Sequence, residues 1–304
     1  MGQLSVHLQN LTFDNPIIPA SGTFGFGLEF AEFYDLNRLG ALTTKAITIS
    51  PRVGNPTPRI AETPGGMLNA IGLQNPGVDQ VISQILPRLA QIYHKPIIAN
   101  IAGSTVQDYL DVIDKLNPCD QISAMEINIS CPNVASGGMA FGIDPDTAGM
   151  LVRQCRQKTH KPLIVKLSPN VTDIVVIARA VEAAGADAIS LINTLIGLAI
   201  DHKRCRPVLG NIVGGLSGPA IKPVALRMVW QVYEAVKIPI IGMGGVMTAE
   251  DVIDFILAGA TAVGVGSANL RDPYACVKII DRLAQLIQEL GWETIESKIG
   301  GAHE

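Results

Sequence analysis

Glu126-Ile-Asn-Ile-Ser-Cys-Pro-Asn133 is an apolar run that ends in a cysteine locked by the proline after it. Residues 124–129 read as a strand buried on both faces, and Pro132, with no N–H to donate, cannot continue a central ladder. Cys131 therefore stands at the C-terminal end of a strand. Asn128 and Asn133 flank it with amides that donate and accept, and the Gly137-Gly138 pair beyond allows a mobile loop over the spot. A thiol with an ordinary pKa of about 8.5 becomes a usable proton acceptor near neutral pH if its neighbours lower that value. From this stretch alone, a free cysteine packed as a small hydrophobe is an equal reading.

Working outward, seven further short apolar runs match this one. Together they lie at 16–19, 41–46, 96–101, 124–129, 162–167, 188–192, 239–242 and 262–265. Most are followed by a stretch with helical periodicity, as at 105–116, 144–159, 171–184, 223–236 and 248–258. Thr248-Ala-Glu-Asp251 opens the last of these with acidic residues in its first turn, where the helix dipole favours them. Eight such units in 304 residues fit an α/β fold closed as a (β/α)8 TIM barrel, a fold that commonly takes about 250 residues. A doubly wound sheet is the alternative, but Gly264-Val-Gly266-Ser-Ala-Asn269 comes last and lacks the third glycine of a dinucleotide fingerprint. An N-terminal β-hairpin is expected over 4–11. Long loop insertions at 48–77 and 193–219 follow strands, which puts both on the C-terminal face, where barrels hold their sites. No linker divides the chain, so residues 1–304 are expected to form one domain.

Composition limits the partners. Hydrophobic residues make up 48% and charged residues 16%, with a formal net charge of −4 and no Lys/Arg stripe, so nucleic acid is not an expected partner. Residues 1–10 lack the apolar core of a secretory signal, and the apolar stretch 174–200 is broken by Arg179, Glu182 and Asp187, so no membrane segment is read. Five scattered cysteines suit a reducing compartment, and the expected location is cytoplasmic. With no C-x-x-C and no H-E-x-x-H, no metal or iron–sulfur spacing is present. Asn-x-Ser/Thr matches at Asn10, Asn128 and Asn170 carry no weight without secretion.

The residues at the strand ends describe a polar pocket: Ala20-Ser21-Gly22, Lys45, Asn100, Asn128, Lys166, Asn193-Thr194, Gly244-Gly245 and Gly266-Ser267. Glycines after the last two strands let backbone N–H groups approach a phosphate. With two lysines left on the rim, the ligand is expected to be larger than phosphate. A phosphorylated cofactor fits, with its ring over the barrel mouth and Lys166 placed to stabilise negative charge on a reduced flavin.

Five motifs carry a resemblance over essentially the whole chain: Asn69-Ala-Ile-Gly-Leu-Gln-Asn75, Asn128-Ile-Ser-Cys-Pro-Asn133, Leu191-Ile-Asn-Thr194, Gly214-Gly-Leu-Ser-Gly218 and Ile241-Gly-Met-Gly-Gly245. In this order and spacing they resemble the FMN-containing catalytic subunits of the NAD-dependent, class 1B dihydroorotate dehydrogenases. The resemblance implies FMN held by Ser21, Lys45, Ala46, Asn100, Asn128, Lys166, Ile192, Gly218, Gly244, Gly245, Gly266 and Ser267. It implies dihydroorotate or orotate held by Lys45, Asn69, Ala70, Ile71, Gly72, Leu73, Asn128, Asn193 and Thr194, with Cys131 as the base. Class 2 enzymes carry serine at that position and a membrane-associating N-terminal helix, and this sequence has neither. The resemblance further implies a partner subunit bearing FAD and a [2Fe–2S] cluster, in a heterotetramer of two catalytic and two electron-transfer chains that reduces NAD. The alternatives are a fumarate-dependent class 1A homodimer, a barrel like that of dihydropyrimidine dehydrogenase, and a non-redox phosphate-binding barrel. A loop around 137–142 is expected to close over the substrate.

Overall fold

Eight parallel strands form the centre of the computed structural model, which describes residues 2–130 and 141–303. In chain order they are β1 (Ile17–Pro19), β2 (Leu42–Thr43), β3 (Ile97–Ile101), β4 (Ile122–Asn128), β5 (Leu163–Lys166), β6 (Ala188–Leu191), β7 (Ile240–Met243) and β8 (Ala262–Val265). Each pairs with its sequence neighbour except across one gap, and β8 pairs back onto β1, so the sheet curls into a nearly closed barrel. At the seam between β1 and β2 the contact is a single backbone bond, Gly40 N–H to Ile17 O at 3.0 Å. All eight expected strands are present. Almost every residue in them is buried, which is why their sequences are continuous β-branched runs rather than alternating ones.

Six helices of nine residues or more clothe the barrel: α1 (Val106–Leu116), α2 (Pro145–Lys158), α3 (Ile174–Ala183), α4 (Lys222–Tyr233), α5 (Ala249–Leu257) and α6 (Ala275–Glu289). Their starts follow from local chemistry. Thr105 and Asp108 form a reciprocal capping box on α1, and Thr248 and Asp251 form one on α5. Asp144 and Asp173 cap α2 and α3. The first unit departs from the expected pattern: between β1 and β2 the chain makes two 3-10 turns, Phe30–Glu32 and Leu36–Arg38, because the segment is rich in aromatics and glycine and lacks a helical apolar stripe. The hairpin pairs Val6–Leu8 with Leu11–Phe13, two residues further along than expected, and buries Val6, Leu8 and Phe13.

The two long insertions are not loose loops. Their segments Ile60–Thr63, Gly66–Asn69, Leu195–Leu198 and Val213–Ser217 join in a four-stranded antiparallel sheet. Leu68 is fully buried in a small separate core with Ala61, Ala70 and Leu209, whereas Ile196, Leu198 and Val213 are exposed.

Candidate active site

Between the C-terminal ends of the barrel strands and this small sheet lies a cavity of about 990 Å³. Its floor is the barrel. Lys166, at the end of β5, is only 4% exposed, and its register partners are Asn128 on β4 and Ser190 on β6. Among the described residues Lys166 makes no hydrogen bond or ion pair, so its ammonium is available to a group in the cavity. Asn128 is fixed from outside the barrel, since its carbonyl accepts from Tyr109 Oη at 2.8 Å.

One step below the floor, Glu126 accepts a hydrogen bond from Asn100 Nδ2 and another from Ser190 Oγ, the latter at 2.6 Å. The Asn100 N–H donates to Thr44 Oγ1 at 3.2 Å. Asn100 Oδ1 is buried and has no partner among the described residues, a state that costs on the order of 1–3 kcal/mol.

The wall is a chain of polar groups. Ser130 Oγ donates to Asn128 Oδ1 at 2.7 Å, and Asn193 Nδ2 donates to Ser130 Oγ. The Thr194 N–H returns to Asn193 Oδ1 at 2.9 Å. Asn170 ties this segment to the loop after β5: its Nδ2 donates to Thr194 O at 3.0 Å and its Oδ1 accepts from the Ile196 N–H at 2.9 Å. Across the cavity, Asn69 Nδ2 donates to Gly215 O at 3.3 Å. Gly215 has to be glycine, because a Cβ there would stand 2.0 Å from Thr194 Oγ1.

At the opposite end the loops after β7 and β8 present Gly244, Gly245, Gly266 and Ser267 to the cavity. Gly245 combines a φ of +79° with a Cβ position 2.8 Å from Lys222 Cβ, so the bend there is open to glycine alone. A Cβ on Gly266 would meet nothing nearer than Ala20 Cβ, at 4.0 Å. The glycine thus leaves open space into which an anionic group can approach the backbone. Lys222 is not such a ligand group, since Asp251 and Asp254 both hold its ammonium. Burial works against that charge, but the two carboxylates outweigh it and carry the Lys222 pKa above its ordinary value. Lys45, the other cation at the mouth, has its Nζ 3.8 Å from where a Cβ on Gly22 would lie.

Most residues singled out in the sequence meet at this one cavity. Ser21, Lys45 and Ala46 line it from the first two strand ends, Asn128 and Lys166 from the floor, and Ile192, Asn193 and Thr194 from the sixth strand end. Asn69, Ala70, Ile71, Gly72 and Leu73 descend from the small sheet, and Gly244, Gly245, Gly266 and Ser267 close the ring. Two residues are placed elsewhere. Asn100 is the penultimate residue of β3, is fully buried and is engaged by Glu126 in the layer beneath the floor. Gly218 sits behind the wall, where a Cβ would strike Gly66 Cα at 2.6 Å. Cys131, Asn133 and the Gly137-Gly138 pair lie outside the described residues. The sequence reading overlooked Glu126, Ser130 and Asn170. Asn170 was visible only as a glycosylation-like triplet, although its place just past the fifth strand is the signal that finds it.

A family model for dihydroorotate dehydrogenase matches residues 3–287. The chain belongs to the dihydroorotate dehydrogenase family. It is 59% identical to a protein of Halalkalibacterium halodurans named dihydroorotate dehydrogenase B (NAD(+)), catalytic subunit, over 99% of both chains. A protein of the same name from Geobacillus kaustophilus is 57% identical, over 100% of this chain and 98% of the relative. One from Anoxybacillus flavithermus is 56% identical, over 99% of this chain and 96% of the relative. Among the described residues no helix is long and apolar enough to cross a membrane, and no three His, Cys, Asp or Glu side chains gather as a metal site.

Proposed function

We propose that this oxidoreductase is the FMN-containing catalytic subunit of an NAD-dependent dihydroorotate dehydrogenase, and that it oxidises (S)-dihydroorotate to orotate in pyrimidine biosynthesis. The observation that carries the reading is the convergence, on one cavity, of a buried lysine, an asparagine wall and an open glycine rim. The residues fit FMN on the chain's own chemistry. Gly266 leaves the space that a phosphate needs, and Lys166 supplies positive charge beside a ring that becomes negative on reduction. FMN would supply the hydride acceptor.

In this reading Ser21, Ala46, Ile192, Gly244, Gly245, Gly266 and Ser267 hold FMN together with Lys45, Asn128 and Lys166, while Asn100 supports it from beneath the floor and Gly218 from behind the wall. Lys45 meets the substrate carboxylate as well, and Asn69, Asn128, Asn193 and Thr194 pair with the donor and acceptor edges of the pyrimidine. The backbone from Ala70 to Leu73 closes the substrate side. Cys131 takes the proton from C5 as hydride leaves C6 for the flavin.

Residues 1–304 act as one FMN-binding domain of a cytoplasmic enzyme. Electrons leave through a second subunit bearing FAD and a [2Fe–2S] cluster, two of each chain forming a heterotetramer that reduces NAD. The names of the relatives, which specify a catalytic subunit and NAD(+), support this division of labour. Purification of the chain alone tests it: the protein should be yellow and bleach with dihydroorotate, yet leave NAD unreduced until the partner is added. A colourless protein inert to dihydroorotate would overturn the reading in favour of a non-redox barrel, and NAD reduction by the isolated chain would overturn the need for a partner.

A further inference from the structure

One buried carboxylate in the barrel is used by none of the roles above. Glu126 is 2% exposed, and among the described residues it has no cationic partner within 4 Å. It lies two residues before Asn128 on β4 and faces the same way, one inward step beneath the cavity floor. Its Oε2 accepts from Asn100 on the adjoining β3, and its Oε1 accepts from Ser190 on β6. The strand it skips, β5, carries Lys166 in register with Ser190. Because Asn100 spends its NH2 group on Glu126, the amide presents its carbonyl oxygen as a buried acceptor with no partner among the described residues.

We infer that Glu126 is a positioning residue for the floor: it fixes the donor–acceptor polarity of Asn100 and keeps negative charge beneath the ring-binding surface. That charge opposes electron uptake by the group bound above it, because a reduced ring that gains negative charge is destabilised by a second one nearby. The bound flavin is thereby held as a stronger reductant, as onward delivery of electrons to a nicotinamide requires. The inference rests on the flavin reading proposed above.

The test compares the midpoint potential and visible spectrum of the flavin-loaded full-length chain with those of Glu126→Gln, which keeps the shape and removes the charge. The variant is expected to retain FMN, to shift the flavin band, and to raise the equilibrium constant for flavin reduction about tenfold, roughly 30 mV for a two-electron couple. Glu126→Asp should return the potential toward the wild-type value, which a role in packing alone would not do. An unchanged potential in Glu126→Gln at equal FMN content overturns the inference while leaving the functional reading intact. If Glu126→Gln does not fold, Ser190→Ala keeps the charge but removes one of its hydrogen bonds. The potential should then fall, and an unchanged value overturns the inference. A wild-type chain that binds no flavin overturns both readings together.

Discussion

The barrel and the small antiparallel sheet above it meet the same cavity from opposite sides, and they are built differently. Barrel strands β3 to β8 are buried at every residue but Ser123, and their side chains at the floor are held by bonds across the sheet, such as Glu126 to Asn100 and Ser190. The small sheet is half exposed, with Leu198 open to solvent, and it lines the cavity with exposed apolar side chains such as Ile60, Ile196 and Val213 beside Asn69 and the glycines at 214 and 215. Its strands pack on glycines, where added atoms would strike neighbours directly. On the function proposed above, the difference suits separate tasks: a tightly bonded floor for a resident cofactor, and a thinner roof for a ligand that comes and goes.

The largest effect should come from Cys131, next in sequence to Ser130 of the wall. Cys131→Ala is expected to leave FMN bound while slowing flavin reduction by dihydroorotate ~10²–10⁴-fold in stopped-flow measurements, the range for a positioned general base. Loss of flavin from this variant would mean that the cysteine supports the barrel instead, and the separation of tasks would lose its sharpest case.

Two glycine substitutions divide the halves directly. Gly245→Ala places a Cβ 2.8 Å from Lys222 Cβ at a φ of +79°, so stability should fall by about 1–3 kcal/mol in urea titrations and the purified protein should lose most of its flavin. Gly215→Ala pushes on Thr194 Oγ1 from the roof. Here some stability should be lost as Thr194 is displaced, but the flavin content of the folded protein should hold, while the KM for dihydroorotate rises about tenfold, one step of roughly 1.4 kcal/mol. Flavin loss from Gly215→Ala, or a changed KM with full flavin in Gly245→Ala, would break the division.

The two halves also differ in how far the sequence revealed them. Barrel strands announce themselves because burial on both faces demands runs such as Leu163-Ile-Val-Lys166, and in several of them a proline or glycine follows within a few residues. Residues at those ends, including Lys166, Asn128 and Gly245, could therefore be gathered into one site before any coordinates. The small sheet stayed hidden. Gly66-Met-Leu-Asn69 and Val213-Gly-Gly-Leu-Ser217 lack the alternation of a half-buried strand, and their pairing joins segments some 150 positions apart, as in Asn69 with Gly215. Asn100 shows a finer limit: the expected run 96–101 ends where β3 ends, at Ile101, but only coordinates show that the Asn100 side chain is spent on Glu126 in the layer beneath the cavity.

The smallest effect concerns how the floor's phosphate end is braced from outside the barrel. Asp251 caps α5, accepting from the Met247 and Thr248 N–H groups at 2.7 and 2.9 Å, and it also holds Lys222, which packs beside Gly245. Burial alone would raise the Asp251 pKa, but the bonds from Lys222 and the two backbone groups outweigh it, and the net shift is downward. A carboxylate with a depressed folded pKa contributes stability that is complete above the ordinary carboxylate range and disappears as pH falls through the lower folded value. Lys222, shifted upward, contributes stability that is lost only as pH climbs through its raised value, so the pair is fully effective across neutral pH. Asp251→Asn should therefore cost about 1 kcal/mol near neutral pH, since both side chains are mostly shielded from solvent. The gap between wild type and variant should close as urea titrations are taken into the acid range, below about pH 4. A gap that stayed constant with pH would assign the loss to the cap's geometry rather than to its charge, and the brace on the glycine loop would then be the helix start itself.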